Sequence, residues 1–522
     1  MYTKRVLWRI EMNEALSKKI YIEFPCPTED DNRSDKARVL DGLEEQGISA
    51  RIPLHTLREL HRLSEDGDWK WTISLSWNGD FWEVVRVEEG NHENEHYGVA
   101  LDLGSTTVVA RLLHMGTGEC LAETSAYNHQ IAFGTDILTR IFYCKDRPDH
   151  LGELRDATLD SIREVMDQLE ELSETSREDW ISMVISGNTT MIHFLLEMDP
   201  FCVFHTPYAV GVTAPGFLSG RELGLSIQGN VFCVPGKSNY LGGDIISGMI
   251  ATGIPQSEEI QVFFDIGTNG ELVIGNKEFL LCGAGAAGPA LEGGVVTTGM
   301  RASEGAVEGV RIRGGKIFCD VIGGGSARGI CGSGIIDLIA ELYLNEWVDF
   351  KGTFNPEKSS RIHEQNGRCG VEYAPGLMFW QEDMEEFLRT KSAAVTMVEY
   401  LLRESGIPKS EIAKFHVAGA FGKHVSVESA VTIGMYPDLE RERLCNAGNS
   451  SLEGAAEILL HKETLDELDK IIDNMVYIQF GAVEDFVHMM AAAQAIPHTD
   501  LEQYPSVQKK RLEYRNFQEE KF

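Results

Sequence analysis

Two short segments contain the residue types that bind the phosphates of a nucleotide. They run from Ala100 to Thr107 and from Phe263 to Gly270, and their aspartates are 163 positions apart. In each, an apolar run typical of a buried strand ends in Asp, one further residue and Gly. Backbone N–H groups and hydroxyls after the Gly can bind phosphate oxygens, and the Asp can hold a metal ion. The pair therefore predicts a duplicated fold that binds a nucleotide from both sides.

The two segments supply most of the candidate site residues. Asp102 and Asp265 are candidate catalytic carboxylates and candidate ligands of Mg²⁺, directly or through water. The nucleotide-binding candidates beside them are Gly104, Ser105, Thr106, Thr107, Gly267, Thr268 and Asn269. A single Asp-x-Gly would be explained as a strand-terminal turn, but two copies favour phosphate binding. The sequence contains no Gly-x-x-x-x-Gly-Lys-Ser/Thr motif, so a P-loop NTPase is not expected.

Further glycine-rich motifs could complete a nucleotide site. Asp244, in Gly-Gly-Asp, is either a third catalytic carboxylate near the phosphates or the N-cap of a helix over Ile245–Ala251, and both interpretations stay open. Gly332 and Ser333 open another predicted helix, whose backbone donors favour an anion or the polar edge of a nucleoside. Small residues after a later strand would let adenine lie against the backbone, and these candidates are Gly419, Ala420 and Phe421.

The elements that position these motifs divide the chain into three predicted domains. Residues 1–95 contain two helices, Ser34–Gln46 and Pro53–Leu63, and a β-hairpin around Asn78-Gly-Asp80, which indicates a small α+β domain. From Tyr97 the order of three strands and a helix occurs twice, which predicts two similar α/β lobes, 96–256 and 257–522, with a nucleotide cleft between them. The predicted strands of the lobes are Val99–Leu103, Val108–Leu113, Leu121–Ser125, Trp180–Ser186, Ile260–Ile266, Leu272–Gly275 and Lys277–Leu281.

Composition excludes several classes of function. The formal charge of −34, from 81 acidic and 47 basic residues, argues against nucleic acid or an anionic membrane as the main partner. The sequence has no long uncharged apolar stretch and no apolar signal-peptide core, so a cytoplasmic location is expected. The ten cysteines stand apart, without a Cys-x-x-Cys pair, which is typical of reduced thiols.

The ordered set of motifs resembles the ATP-dependent reductive activators of corrinoid proteins, which belong to the acetate and sugar kinase/Hsc70/actin superfamily. The motifs are Leu-Asp-Leu-Gly-Ser-Thr-Thr, Gly-Asn-Thr-Thr-Met, Gly-Gly-Asp, Asp-Ile-Gly-Thr-Asn-Gly-Glu, Gly-Met-Arg-Ala-Ser-Glu-Gly-Ala, Gly-Ile-Cys-Gly-Ser-Gly and Val-Ala-Gly-Ala-Phe-Gly. The resemblance covers Tyr97 to about residue 490, and residues 1–95 resemble the linker domain of that family. It implies two actin-like (ribonuclease H-like) lobes, ATP and Mg²⁺ as cofactors, and a homodimer. It also implies that the partner is a corrinoid protein of a methyltransferase system, which is returned from Co(II) to Co(I).

The cysteine pattern departs from that family. Many members carry a [2Fe–2S] ferredoxin domain or a domain of clustered cysteines, whereas here only Cys26 precedes position 120 and no Cys follows Cys445. No iron–sulfur cluster is therefore expected in this chain, and the electron donor is expected to be a separate protein. Cys331 and Cys369 resemble the cysteines that hold a [4Fe–4S] cluster between the subunits of dehydratase activators, but buried thiols are the favoured interpretation.

The segment Gly293–Ala302 is the candidate surface for the corrinoid. Thr297, Thr298 and Arg301 are its candidate polar contacts, and the alternative is a glycine-rich connection with a solvated Arg. Two other functions stay open from the residues alone. One is a small-molecule kinase of the same superfamily, and the other is a non-enzymatic module whose nucleotide gates association with a partner.

Overall fold

The fold is described here from a computed structural model, which covers residues 14–66, 68–145, 147–204, 208–267, 269–286, 294–419, 425–480 and 485–519. Contacts between residues divide the chain into two compact units. Unit 1 contains Met1–Ala251 and Ser450–Asp473, and unit 2 contains Thr252–Asn449 and Asn474–Phe522. Among the described helices, none is both long enough and apolar enough to span a lipid bilayer.

The N-terminal part of unit 1 is a small α+β domain. Its elements are β1 (Ser17–Glu23), α1 (Asp35–Glu45), β2 (Ala50–Arg51), α2 (Leu54–Asp66), β3 (Lys70–Trp77) and β4 (Trp82–Glu89). The strands form one sheet in the order β1-β3-β4-β2. Asn78 makes the turn of the β3–β4 hairpin, because its side-chain oxygen accepts from the N–H groups of Asp80 and Phe81, each at 3.1 Å. Both helices and the hairpin are confirmed.

Buried polar contacts join this domain to the rest of unit 1. The Lys19 ammonium, whose side chain is fully buried, lies 2.7 Å from an Asp179 carboxylate oxygen and 2.8 Å from one of Glu88. The Ser76 and Ser182 hydroxyls lie 3.0 Å apart and are buried as well. The N-terminal domain is thus packed on the first lobe through charge-paired and hydrogen-bonded groups.

The remainder of unit 1 is an α/β lobe built on a six-stranded sheet. Its elements are β5 (Tyr97–Leu103), β6 (Thr107–His114), β7 (Cys120–Tyr127), α3 (Ile137–Cys144), α4 (Pro148–Ser173), β8 (Trp180–Gly187), α5 (Thr189–Leu195), β9 (Gly216–Ser219), α6 (Gly220–Leu223), β10 (Asn230–Cys233) and α7 (Gly243–Thr252). Two later helices, α11 (Ser450–Leu460) and α12 (Leu465–Asn474), return to this unit. The strand order is β7-β6-β5-β8-β10-β9, and α11 packs against β5 and β8.

Unit 2 contains a second six-stranded sheet and two three-stranded sheets. Its elements are β11 (Gln261–Ile266), β12 (Asn269–Gly275), β13 (Leu280–Ala286), β14 (Ala306–Arg313), β15 (Lys316–Val321), β16 (Gly329–Ile330), α8 (Gly332–Leu344), β17 (Ile362–Gln365), β18 (Arg368–Ala374), β19 (Leu377–Trp380), α9 (Gln381–Ser405), β20 (Lys414–Ala418), α10 (Val427–Thr432), β21 (Leu444–Gly448), β22 (Met475–Ile478), α13 (Phe486–Ala493) and α14 (Pro505–Glu519). The large sheet has the order β21-β20-β11-β12-β13-β22, and the small sheets are β15-β14-β16 and β17-β18-β19.

The two large sheets share one central topology. In unit 1, β5 pairs antiparallel with β6 and parallel with β8, and β6 pairs antiparallel with β7. In unit 2, β11 pairs antiparallel with β12 and parallel with β20, and β12 pairs antiparallel with β13. Each sheet therefore places its first strand between an antiparallel and a parallel neighbour. This repetition confirms the predicted pair of actin-like α/β lobes.

Several elements differ from the sequence-based expectations. The strand predicted over Lys277–Leu281 begins at Leu280, because residues 276–279 form a turn in which the Asn276 N–H donates to the Phe279 carbonyl at 3.0 Å. Cys369, expected to be a buried thiol, is only partly buried and lies in β18. The helix expected over Ile245–Ala251 begins two residues earlier, at Gly243. These differences concern the ends of elements, where short-range signals are weakest.

Candidate functional site

The turn after β5 is shaped by contacts from outside it. The Gly104 carbonyl accepts from the Asn128 side-chain amide at 2.9 Å, and the Ser105 carbonyl accepts from the Arg140 guanidinium at 2.7 Å. In a trans peptide, a carbonyl and the following N–H point in opposite directions. The N–H groups of Ser105 and Thr106 are thereby turned away from Asn128 and Arg140. Successive N–H groups held on one side of a turn are a common way to bind an anion.

Gly104 is required by the tightness of this turn. A Cβ atom at position 104 would lie 2.4 Å from the Thr107 carbonyl oxygen, which is closer than any side chain can approach. Thr107 is the first residue of β6, so the chain reverses within three residues, 104–106. The glycine predicted for this turn is therefore needed for its geometry.

The sequence did not reveal Arg140 and Asn128 as supports of the turn. Arg140 is fully buried on α3, and its guanidinium also donates to the Gly134 carbonyl at 2.9 Å and to the Gln130 side chain at 3.0 Å. Burial lowers the pKa of Arg140 to about 10, so the group stays charged at neutral pH. The available signal was a charged residue on the buried face of a short amphipathic helix, next to Ile141.

Asp102 accepts a hydrogen bond from Ser451, a serine from a distant part of the chain that also contacts Ser186. The Ser451 hydroxyl lies 2.8 Å from Asp102 Oδ1 and 2.9 Å from the Ser186 hydroxyl. The parallel register of β5 and β8 places Ser186 directly opposite Asp102. Ser451 belongs to the first turn of α11, 349 positions further along the sequence, which is why no local pattern could indicate it.

The structure brings the Gly-Asn-Thr-Thr and Gly-Gly-Asp motifs together beside Asp102. A Cβ at Gly187 would lie 3.0 Å from the Leu103 carbonyl oxygen, and a Cβ at Gly242 would lie 2.6 Å from the Thr189 nitrogen. Backbone segments can pack this closely only where side chains are absent. Two glycines thus connect the end of β5 to the start of α7, which carries Asp244.

Asp244 lies inside the first turn of α7, where its Oδ1 accepts from the Ile245 N–H at 2.9 Å. Desolvation, together with the nearby charge of Asp102, raises the pKa of Asp244 to about 7. Two neighbouring carboxylates repel each other when both are ionised. A divalent cation, whose preferred ligands are oxygens, reduces this repulsion. The residues present in unit 1 therefore fit Mg²⁺ bound to the phosphates of a nucleotide.

In unit 2, Asp265 near the end of β11 has a glycine against its carboxylate. Gly419 follows β20, the parallel neighbour of β11, with φ +80°, and a Cβ there would lie 2.7 Å from Asp265 Oδ1. The Gly267 N–H donates to the Asn269 carbonyl at 2.8 Å, and Asn269 is exposed at the start of β12. The structure thus brings Asp265 and Gly419 together. Three other nucleotide candidates, Thr268, Ala420 and Phe421, lie outside the described residues.

Gly332 and Ser333 form the start of α8, as predicted. The Ser333 hydroxyl donates to the Glu308 carbonyl at 2.9 Å, so its proton is used within the protein. Cys331, just before them, is buried, and its thiol lies 3.3 Å from the Val307 carbonyl. The assignment of Gly332 and Ser333 to a nucleotide stays a prediction.

Hydrogen bonds hold the candidate corrinoid segment against other residues of unit 2. The Thr297 N–H and hydroxyl both donate to Asp383 Oδ1, at 2.8 and 2.9 Å. The Thr298 hydroxyl donates to the Met378 carbonyl at 3.1 Å and accepts from the Tyr373 hydroxyl at 2.8 Å. These contacts hold the segment on its neighbours, whereas Arg301 is exposed. The role of all three candidates at a corrinoid stays a prediction.

Comparison with protein families gives a match over most of the chain. The model of the C-terminal domain of RACo, the ASKHA domain, matches residues 259–508. The model of the RACo middle region matches residues 97–257, and that of the RACo linker region matches residues 9–94.

Individual relatives agree with these matches. The chain is 30% identical over 419 residues to the corrinoid activation enzyme RamQ of Eubacterium limosum. The aligned region covers 77% of this chain and 70% of that protein. The chain is 24% identical over 409 residues to the [Co(II) methylated amine-specific corrinoid protein] reductase of Methanosarcina barkeri, with 72% of each covered. A solved structure described as a reductive activator for corrinoid, iron-sulfur protein has a TM-score of 0.86 and 33% identity, covering 95% of this chain and 81% of that chain.

Proposed function

Because the chain belongs to the RACo family, whose relatives include corrinoid activation and reductase enzymes, we propose that it is an ATP-dependent reductive activator of a corrinoid protein. The corrinoid protein belongs to a methyltransferase system and is its partner. The observation that carries the proposal is the repeated Asp-x-Gly turn, found at the first strand of each of two matching sheets. A fold with two such turns suits a nucleotide triphosphate better than a phosphate monoester.

The residues of unit 1 would bind Mg²⁺ and phosphate oxygens. Asp102 and Asp244 supply oxygen ligands, and the N–H groups of Ser105 and Thr106 donate to phosphate oxygens. In unit 2, Asp265 and the backbone around Gly267 take the equivalent roles. Bound Mg²⁺ would neutralise charge on the phosphates during transfer to water.

The reduction requires an electron that ATP cannot supply. In the proposed reaction, a separate one-electron donor protein loses one electron, and Co(II) of the corrinoid gains it to become Co(I). ATP and water give ADP and phosphate in the same cycle. Nucleotide binding or hydrolysis favours the form of the complex in which the corrinoid is easier to reduce, because a ligand shifts an equilibrium by its differential affinity for the two states.

The donor is assigned to another protein because of the cysteines of this chain. Cys331 is buried against backbone, and burial also raises the pKa of Cys369 in β18. A thiol with a raised pKa is a poorer metal ligand than a thiolate. Iron and sulfide analysis of protein purified without oxygen tests this assignment. Stoichiometric iron and sulfide would contradict it.

The proposed activity is tested by following cobalt directly. The purified chain is mixed with a candidate corrinoid protein in the Co(II) state, a one-electron chemical reductant and MgATP, and absorbance reports Co(I). We expect Co(I) with MgATP and none when ADP replaces ATP. Phosphorylation of a small metabolite without any corrinoid protein would instead identify a kinase. ADP binding without turnover, even in the presence of partner, would identify a nucleotide-gated binding module.

A further inference from the structure

Helix α11 approaches the candidate nucleotide site from the C-terminal part of the chain. The chain leaves unit 2 at Asn449 and enters unit 1 at Ser450, so the first turn of α11 follows that crossing directly. The helix packs against β5 and β8, the two strands that carry Asp102 and Ser186. Its first turn therefore lies at the ends of the strands that form the site.

A close helix crossing fixes the position of α11. A Cβ at Gly454 would lie 2.0 Å from the Ser247 carbonyl oxygen of α7, so the two helices touch through backbone. Farther out, the Arg111 guanidinium of β6 makes two contacts with the Glu453 carboxylate, at 2.7 and 3.0 Å. The helix is thus fastened both to α7, which carries Asp244, and to the central sheet.

The hydrogen-bond direction at Ser451 is determined by its neighbours. A hydroxyl has one proton, and an ionised carboxylate only accepts. Ser451 is the donor toward both Asp102 Oδ1, at 2.8 Å, and the Ser186 hydroxyl oxygen, at 2.9 Å, so its single proton serves one of these two acceptors at a time. The charged carboxylate is the stronger acceptor of the two. Both serines are buried, at 6% and 0% exposure, so water does not compete for this proton. One hydroxyl proton, that of Ser451, is therefore available to Asp102 Oδ1, and the Ser186 oxygen is the competing acceptor.

We propose that Ser451 is a positioning residue for Asp102. Its hydrogen bond fixes the rotation of the carboxylate, so that Asp102 meets Mg²⁺ and the nucleotide phosphates in one orientation. This inference rests on the proposed function, since it concerns the same nucleotide site. Ser451 does not touch the reacting atoms, and its effect is transmitted through Asp102 alone.

Ser450 provides a matched control on the same helix turn. Its hydroxyl is buried and has no hydrogen-bond partner, so Ser450→Ala removes an equivalent group without touching Asp102. The test compares the full-length wild type, Ser451→Ala, Ser450→Ala, Ser186→Ala and the Ser186→Ala/Ser451→Ala double variant. Two quantities are measured for each: the Mg²⁺ dependence of ATP turnover, and the Mg²⁺ dependence of binding of a non-hydrolysable ATP analogue by calorimetry.

We expect Ser451→Ala to raise the Mg²⁺ concentration for half-maximal binding by about tenfold, as loss of a hydrogen bond to a charged group implies. Ser186→Ala removes only the competing acceptor, so it should not raise this concentration, and it should add nothing in the Ser451→Ala background. Ser450→Ala should match the wild type.

Three results would overturn the positioning role. The first is unchanged Mg²⁺ dependence in Ser451→Ala, whatever its melting temperature. The second is an equal shift in Ser450→Ala, which would indicate general loosening of α11. The third, decisive if Ser451→Ala does not fold, is a rise of about tenfold in Ser186→Ala, in which the Ser451–Asp102 hydrogen bond is kept. A wild type that neither binds the analogue nor turns over ATP would overturn the proposed function as well, which distinguishes the two failures.

Discussion

The Asp102 turn of unit 1 and the Asp265 turn of unit 2 occupy the same place in two sheets of the same topology. In both, the aspartate is the next-to-last residue of the first strand, and a parallel strand lies beside it. The residue opposite differs: Asp102 faces Ser186, whereas Asp265 faces Ala418. The duplication therefore preserved the position of the carboxylate but not the groups around it.

The groups that lie directly against the two carboxylates also differ. Around Asp102, the Ser451 hydroxyl of α11 reaches the carboxylate, so its orientation depends on a side chain. At Asp265, the backbone of Gly419 lies against the carboxylate, with no room for a Cβ. We infer that substitution of Gly187, which meets the end of β5, is tolerated better than substitution of Gly419, which meets the Asp265 carboxylate. This comparison can be tested by substitution.

The largest effect is expected from removal of the carboxylates themselves. Asp102→Ala and Asp265→Ala should each lower ATP turnover by about 100- to 1000-fold, since a metal ligand contributes several kcal/mol to the stabilisation of transition-state charge. Both variants should keep the fold, because each aspartate is only partly buried near the end of its strand and does not fill the core. Steady-state ATP hydrolysis and circular dichroism measure the two expectations.

Exposed aspartates in the same units provide the controls. Asp160→Ala on α4 and Asp320→Ala on β15 each remove only a surface ion pair, with Arg163 and Arg311 respectively. Both controls should hydrolyse ATP like the wild type. Wild-type turnover in both Asp102→Ala and Asp265→Ala would show that the phosphate assignment is wrong. Loss in only one of them would restrict the site to that unit.

A smaller effect is expected from adding a methyl group beside the Asp265 carboxylate or beside the end of the strand that carries Asp102. Gly419→Ala would place a Cβ 2.7 Å from Asp265 Oδ1 at a positive φ, whereas Gly187→Ala would place one 3.0 Å from the Leu103 carbonyl. We expect kcat/KM for ATP to fall about 30-fold in Gly419→Ala, as about 2 kcal/mol of displacement and strain implies, and about threefold in Gly187→Ala.

Gly406→Ala separates backbone strain from crowding at the carboxylate. Gly406 caps the C-terminus of α9 with φ +68°, and a Cβ atom added there would lie in open space. This variant should therefore lower the melting temperature by a few degrees through strain alone, and it should leave kcat/KM unchanged. Equal losses of kcat/KM in Gly419→Ala and Gly187→Ala would contradict the proposed difference between the two turns.

The parts of the site that the sequence predicted are those with local signals. An apolar run followed by Asp, one residue and Gly is enough to place Asp102 and Asp265 at strand ends, because each signal lies within a few residues. The close packing of Gly187 and Gly242 confirmed that the glycine motifs of unit 1 belong together, although sequence alone gave no order for them in space. Hydrophobic periodicity likewise predicted the central strands of both lobes.

The groups that support these residues depend on tertiary structure and could not be predicted in the same way. Ser451 reaches Asp102 only because α11 returns to unit 1, and Arg140 reaches the Ser105 carbonyl only because α3 folds against the turn. One local signal was missed. Gly314-Gly315 separates two alternating segments and forms the turn of the β14–β15 hairpin, with φ +56° and +75°, which is a strong two-residue hairpin signal. The glycine richness of the surrounding segment obscured it.

The smallest expected effect concerns Asp244, the second carboxylate beside Asp102. Its pKa in the folded protein is raised to about 7, above the usual value near 4, so the folded state holds the proton more tightly than the unfolded state does. The contribution of protonated Asp244 to the stability of the fold is fully present below pH 4, and it is lost as the pH rises through 7. In Asp244→Asn the side chain cannot ionise, so this loss should be absent.

We therefore expect the nucleotide-free Asp244→Asn variant to match the wild type in stability at pH 4 and to exceed it at pH 7.5 by about 1–2 kcal/mol. This value allows for the partial exposure of the carboxyl, and it corresponds to a rise of a few degrees in melting temperature. Mg²⁺ should reduce the difference in stability between the variant and the wild type at pH 7.5. The cation stabilises the ionised Asp102 and Asp244 of the wild type, whereas in the variant it has one ligand fewer. Melting curves at both pH values, with and without Mg²⁺, measure this. A variant less stable than the wild type at pH 7.5, or a difference independent of pH, would show that Asp244 carries no electrostatic strain and that unit 1 does not hold a second carboxylate poised for a cation.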